Sequence, residues 1–97
     1  MGEIFLFENP GEDDIPEPEV ARICGAMLGD RTSVYRRSDG TRVVAAFTDE
    51  PDRTNPHGVK ELILGQGASW HEAIARARAA LRNGRAAHLD IRGDRPT

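Results

Sequence analysis

The sequence predicts an α+β domain. It has an antiparallel sheet of three core strands, two helices on one face, and short extra strands near both termini at 4–8 and 87–92. Three observations carry this reading. Val20, Ile23, Cys24, Met27 and Leu28 recur at the spacing of an amphipathic helix. Two strand-like runs, 31–38 and 41–48, flank Asp39-Gly40, a pair that favours a two-residue hairpin turn. Ser69 and Glu72 form the capping-box pattern ahead of a second apolar stripe. Successive strands joined by one tight turn and one longer loop favour antiparallel pairing, with the helices gathered on one side.

The elements follow in order. Ile4-Phe5-Leu6-Phe7 is a strand-forming run that stops at Asn9-Pro10-Gly11. An acidic loop over 9–17 follows, and Pro18 suits the first turn of a helix, with Glu17 as its N-cap and Gly29 as its stop. A two-residue turn at Asp39-Gly40 puts Arg36 opposite Val43, Val34 opposite Ala45, Thr32 opposite Phe47 and Tyr35 opposite Val44, with Arg37 facing Arg42. The face carrying Val34, Val43, Ala45 and Phe47 is then the expected core side. Residues 49–58 read as a polar loop and 59–65 as the third strand. The second helix buries Trp70, Ala73, Ile74, Ala77 and Leu81 and ends at Asn83-Gly84. A tail over 93–97 is expected to fray.

Ninety-seven residues, 38% hydrophobic and 30% charged, make one small globular domain, 1–97. A core of this size leaves little stability margin, so a homodimer is a reasonable expectation. The one cysteine, Cys24, excludes an intramolecular disulfide, and its place on the apolar stripe predicts a buried, inert thiol. No apolar run is long enough to span a bilayer and no basic segment precedes Ile4, which gives the expectation of a cytoplasmic protein without membrane contact. Twelve of the thirteen basic residues are arginine, a bias of GC-rich bacterial or phage genomes.

The motif search points away from catalysis. His71-Glu72 begins like a zinc-protease helix, but Ala75 stands where the second histidine belongs, and His57, His71, His88 and Cys24 have no other metal-ligand spacing. Gly65-Gln66-Gly67 lacks the third glycine of a dinucleotide fingerprint and reads as a tight turn. Ser33, Ser38 and Ser69 lack the elbow of a hydrolase nucleophile, and Asp13-Asp14 and Asp49-Glu50 read as solvated loop acids. Arg92-Gly93-Asp94 matches an adhesion tripeptide by chance. No catalytic residue, metal or cofactor is expected.

The charge is uneven. Residues 1–30 carry eight acids against Arg22 alone, and residues 31–97 carry twelve basic and eight acidic residues. Arg36, Arg37 and Arg42 at the hairpin tip, with Arg78, Arg82 and Arg85 at the second helix, are the candidate contacts to a nucleic acid or an anionic partner. Glu12, Asp13 and Asp14 are the candidate contacts to a basic partner, against the plainer reading of solvated acids near the first helix.

Two resemblances bear on function. The Asp39-Gly40 hairpin, the Asp49-Glu50-Pro51 break, a third strand and Gly67-x-Ser69-x-x-Glu72-Ala73 together resemble a HicB-like antitoxin domain over residues 33–84. That implies a non-catalytic module that binds a toxin partner and often oligomerises. The order helix, three strands, helix over residues 18–83 is similar to the double-stranded-RNA-binding fold. That family grips phosphate with a lysine-rich helix start, where this chain has Trp70, His71, Glu72 and Ala73. The expectation is a non-enzymatic protein-interaction or regulatory module, antitoxin-like or a phage accessory protein, with nucleic-acid binding as the second reading and an unrecognised enzyme as the third.

Overall fold

The computed structural model describes residues 14–89, in the order α1 (Glu17–Leu28), a 3₁₀ turn (Gly29–Arg31), β1 (Thr32–Arg36), β2 (Arg42–Pro51), β3 (Val59–Gly67) and α2 (Trp70–Arg82). The three strands form one antiparallel sheet in the order β1-β2-β3. Both helices pack on the same face, which gives the α+β class the sequence predicts. The expected strand at 4–8 lies outside the described residues. Of the expected strand at 87–92, residues 87–89 are in turns: Ala87 N donates to Gly84 O (3.1 Å) and Leu89 N to Ala86 O (3.0 Å). Those turns fold the chain back so that Ala86 and Leu89 enter the core at 4% and 7% exposure instead of extending along the sheet.

α1 forms because its stripe meets an apolar surface. Val20, Cys24, Met27 and Leu28 are buried on the side facing the sheet. Full burial of a side chain such as Met27 or Leu28 contributes about 2 kcal/mol. The helix begins one residue earlier than expected: Pro16, not Glu17, is the N-cap, and Pro16 O accepts from Glu19 N and Val20 N. Glu17 therefore sits in the first turn, where an acid favours the helix dipole, and it ion-pairs with Arg36 of β1.

The hairpin differs from the expected one. Arg37 N donates to Thr41 O and Gly40 N to Arg37 O, so Ser38-Asp39-Gly40 is a three-residue loop with Gly40 at φ +92. This is the turn-plus-bulge solution that competes with the two-residue turn. It moves the register by one: Arg36 pairs with Arg42, Tyr35 with Val43, Val34 with Val44 and Thr32 with Ala46. The helix-facing side is thus Val34, Val44, Ala46, Leu62 and Leu64, not the set containing Val43, Ala45 and Phe47. β2 is apolar on both sides here, and Val43 and Ala45 are buried on the second face. Gly40→Ala should cost about 1 kcal/mol, since a Cβ there has space but not the backbone conformation; urea unfolding measures it.

β2 runs on through Asp49-Glu50 to Pro51, which pairs with Val59, so the loop is 52–58 and not 49–58. Asp52 N donates to Gly58 O (2.9 Å), closing that loop, and the His57 ring packs tilted against Phe47 with the centroids 4.8 Å apart. β3 continues to Gly67, so Gly65-Gln66-Gly67 is strand and not a turn.

Candidate protein-interaction surface

The start of α2 is tied down by three groups. Ser69 Oγ accepts from Glu72 N (3.2 Å), as the capping box requires, but Glu72 Oε1 takes Ala68 N (3.0 Å) and not Ser69 N. The remaining free amides of the first turn are met from 56 residues away. Asp14 Oδ2 accepts from Trp70 N (2.8 Å), and its Oδ1 accepts from His71 N (3.1 Å) and Ile15 N (2.9 Å). Its side chain is 3% exposed, with Arg42 Nε 3.9 Å away. Burial pushes the Asp14 carboxyl up, but the three amide donors and the Arg42 charge outweigh it and hold the group below its ordinary value of 3.8. Asp14 is therefore not the exposed docking acid the sequence suggests. It is the second cap of α2. Glu12 and Asp13 lie outside the described residues.

The six arginines do not converge on one patch. Arg36 is ion-paired with Glu17. Arg42 is largely buried; its Nη1 donates to Gly40 O (2.8 Å) and Ala68 O (3.0 Å), joining the hairpin tip to the α2 entry. That work is structural and leaves Arg42 poorly placed for a phosphate. Arg37 is exposed at the base of the hairpin loop. Arg78 and Arg82 are exposed on the α2 flank towards α1, where the Arg78 charge reaches Cys24. Burial outweighs that charge and pushes the Cys24 thiol up to about 11, the inert state expected of it.

Arg85 stands elsewhere. It flanks an open groove of about 370 Å³ beside the outer edge of β3, lined also by Ile63, Leu64, Gly65, Gln66 and Arg76. Arg76 was not singled out by the sequence. From α2 it donates to Gln66 O (2.8 Å) and pairs with Glu72 (2.8 Å), which fixes its guanidinium against the strand. The sequence signal for it was only the Glu72–Arg76 spacing of one helical turn. Arg37, Arg78, Arg82 and Arg85 form no ion pair with another described residue.

β3 is an edge among the described strands, nine residues long, with a bulge where Leu64 has no partner in β2. An edge strand presents unpaired N–H and C=O groups to whatever can pair with them. The groove beside it combines such groups with Ile63 and two guanidinium groups: Arg85, which has no ion pair with a described residue, and Arg76, which already holds Gln66 O and pairs with Glu72. Chemically it suits an extended chain bearing carboxylates.

No group of three or more His, Cys, Asp or Glu side chains among the described residues could hold a metal ion. No described helix is long and apolar enough to cross a membrane. No family model, curated protein or solved structure matches this chain.

Proposed function

We propose that this domain is a non-enzymatic, cytoplasmic protein-interaction module that takes an extended acidic segment of a partner protein along the outer edge of β3. The observation that carries the reading is the juxtaposition of that edge with Arg76 and Arg85 around one groove. Strand addition supplies backbone hydrogen bonds that are indifferent to sequence, and flanking cations select for acidic partners and speed the encounter. The basic surplus of residues 31–97 adds long-range attraction of the same sign. The antitoxin-like segment agrees in class, since those domains act by holding a protein partner.

The nucleic-acid reading has weaker support. At the α2 N-terminus, where the RNA-binding family meets phosphate, the Asp14 carboxylate already takes the amides. Arg36 and Arg42 are engaged within the domain, as Arg76 is, and the other candidate arginines, Arg37, Arg78, Arg82 and Arg85, do not converge on one patch.

The test is an anisotropy titration with a labelled octapeptide of alternating valine and glutamate. Saturable binding is expected, with affinity falling as salt rises and falling by about tenfold in Arg76→Glu/Arg85→Glu. Amide exchange at residues 62–66 should slow on binding. If the peptide fails to bind while duplex RNA or DNA binds at low salt, losing about 0.7–0.9 log units of affinity per phosphate contact for each log unit of salt, the nucleic-acid reading replaces this one.

A further inference from the structure

β2 turns Val44 and Ala46 towards the helices and Val43 and Ala45 towards the other side of the sheet. Val43 and Ala45 are both 0% exposed, yet neither belongs to the core cluster that the helices close. The two described helices pack on the opposite face and cannot supply the cover. The Phe47 end of this second face is closed by the sheet and its loop: Ser33 Oγ donates to Glu61 Oε1 across β2 (2.9 Å), and the His57 ring packs against Phe47. The Val43 end is different. Its cross-strand neighbours are Tyr35, left 38% exposed, and Gln66, half-buried. A narrow cover laid along β2 gives complete burial between open flanks, whereas a second sheet or subunit would bury the flanks as well.

We propose that this cover is the chain's own apolar segment Ile4-Phe5-Leu6-Phe7, folded back over Val43 and Ala45 and not added to a sheet edge. Outside residues 14–89 it is the one run of apolar residues, and it holds two of the chain's three phenylalanines. Two such rings carry about 300–500 Å² of surface to bury, as much as the largest apolar patch a monomer commonly leaves in water. The chain also arrives at the right place. Asp14 is fixed beside Arg42, the residue before Val43, by its bonds to the Trp70 and His71 amides. The seven Cα steps from Phe7 to Asp14 span at most about 25 Å. The path needs about 10 Å along β2 and a similar distance around the sheet, so the segment reaches. Asn9-Pro10-Gly11 supplies the turn between. An edge strand would instead alternate its residues between the two faces and send only half of the run towards Val43 and Ala45. None of this depends on the reading of the β3 groove.

The test is a set of NOE spectra on the full ¹³C-labelled chain. Ring protons of Phe5 and Phe7 should show contacts to the methyl groups of Val43 and Ala45. In an equal mixture of labelled and unlabelled chain, isotope-filtered spectra should show none of these contacts, because the cover belongs to the same chain. Phe5→Ser/Phe7→Ser in the full chain should uncover the face. Fluorescence of a hydrophobic dye should then rise about fivefold, and the Val43 and Ala45 methyl signals should move more than those of Ala46 and Val44. Absence of the ring-to-methyl contacts in the parent chain overturns the proposal. So does their appearance only between chains, which would make the cover a second copy. A double variant that leaves dye binding and both methyl signals unchanged overturns it equally.

Discussion

Gly65→Ala is expected to cost the domain about 3 kcal/mol and to lower its melting temperature by more than about 10 °C, the upper end for overpacking because no neighbour can yield. β3 and α2 meet at this residue. A Cβ on Gly65 would lie 2.5 Å from the Ala77 backbone nitrogen, closer still to the Ala73 carbonyl oxygen, and 3.0 Å from the Arg76 carbonyl carbon. All three are main-chain atoms of one helix, so relief requires lifting α2 off the sheet. That movement would open the contact between Ala73, Ala77, Ala46 and Leu64, which is part of the buried core. Against a total stability of about 5–15 kcal/mol, such a loss leaves a barely folded chain. Gly25→Ala is the contrasting control. A Cβ there meets nothing within 4 Å, and the residue lies within α1, so alanine should stabilise by about 0.5–1 kcal/mol. Thermal melts followed by far-ultraviolet circular dichroism compare the two. Equal melting temperatures for Gly65→Ala and the parent chain would mean that the close approach does not set the packing.

That glycine also shows which parts of the molecule were legible in the sequence. The helices were, because their apolar periodicity is local: Val20, Cys24, Met27 and Leu28, and Trp70, Ala73, Ile74 and Ala77, are buried as the spacing selects, with Ile23 and Leu81 half-buried beside them. The number and direction of the core strands were also legible, from turn chemistry. The register was not. Asp39-Gly40 serves a two-residue turn and a three-residue turn with a bulge almost equally well, and the usual arbiter, alternation of apolar and polar residues, is silent along Val43-Val44-Ala45-Ala46. The one-residue shift then changed the site. Arg42, read as a free cation facing Arg37, instead faces Arg36 across the strands and reaches back to Ala68 O. Gly65-Gln66-Gly67 reads as a tight turn in the sequence, whereas Gly65 is small because a helix backbone lies on it. Arg76 and Arg85 line one groove with residues 63–66 of β3, a relation that no spacing in the chain encodes.

Asp14 is the clearest case of a long-range role hidden in a local pattern, and Asp14→Ala is the second large effect expected. In the sequence it ends a run of acids, with nothing to separate it from solvated neighbours. In the fold its carboxylate accepts the Trp70 and His71 amides at the start of α2 and neutralises the largely buried Arg42. Removing it strips a helix cap and leaves Arg42 without the carboxylate it pairs with among the described residues. The expected loss is about 2 kcal/mol, the upper end for a cap, or about 10 °C in melting temperature. Asp14→Asn keeps one acceptor oxygen but gives up the charge and turns an amide donor towards backbone donors, so it should fall between Asp14→Ala and the parent. The acid limb of stability carries the signature. The folded pKa of Asp14 lies below its ordinary value of 3.8, so its contribution is fully present above that pH and is lost as pH falls through the lowered folded value. The parent should therefore lose stability more steeply below about pH 4 than Asp14→Asn does. Asp30→Asn, which changes an exposed carboxylate, should follow the parent closely. If Asp14→Ala instead melted within about 2 °C of the parent at pH 7, less than half a kcal/mol would rest on the cap. The carboxylate would then be free to serve a basic partner after all.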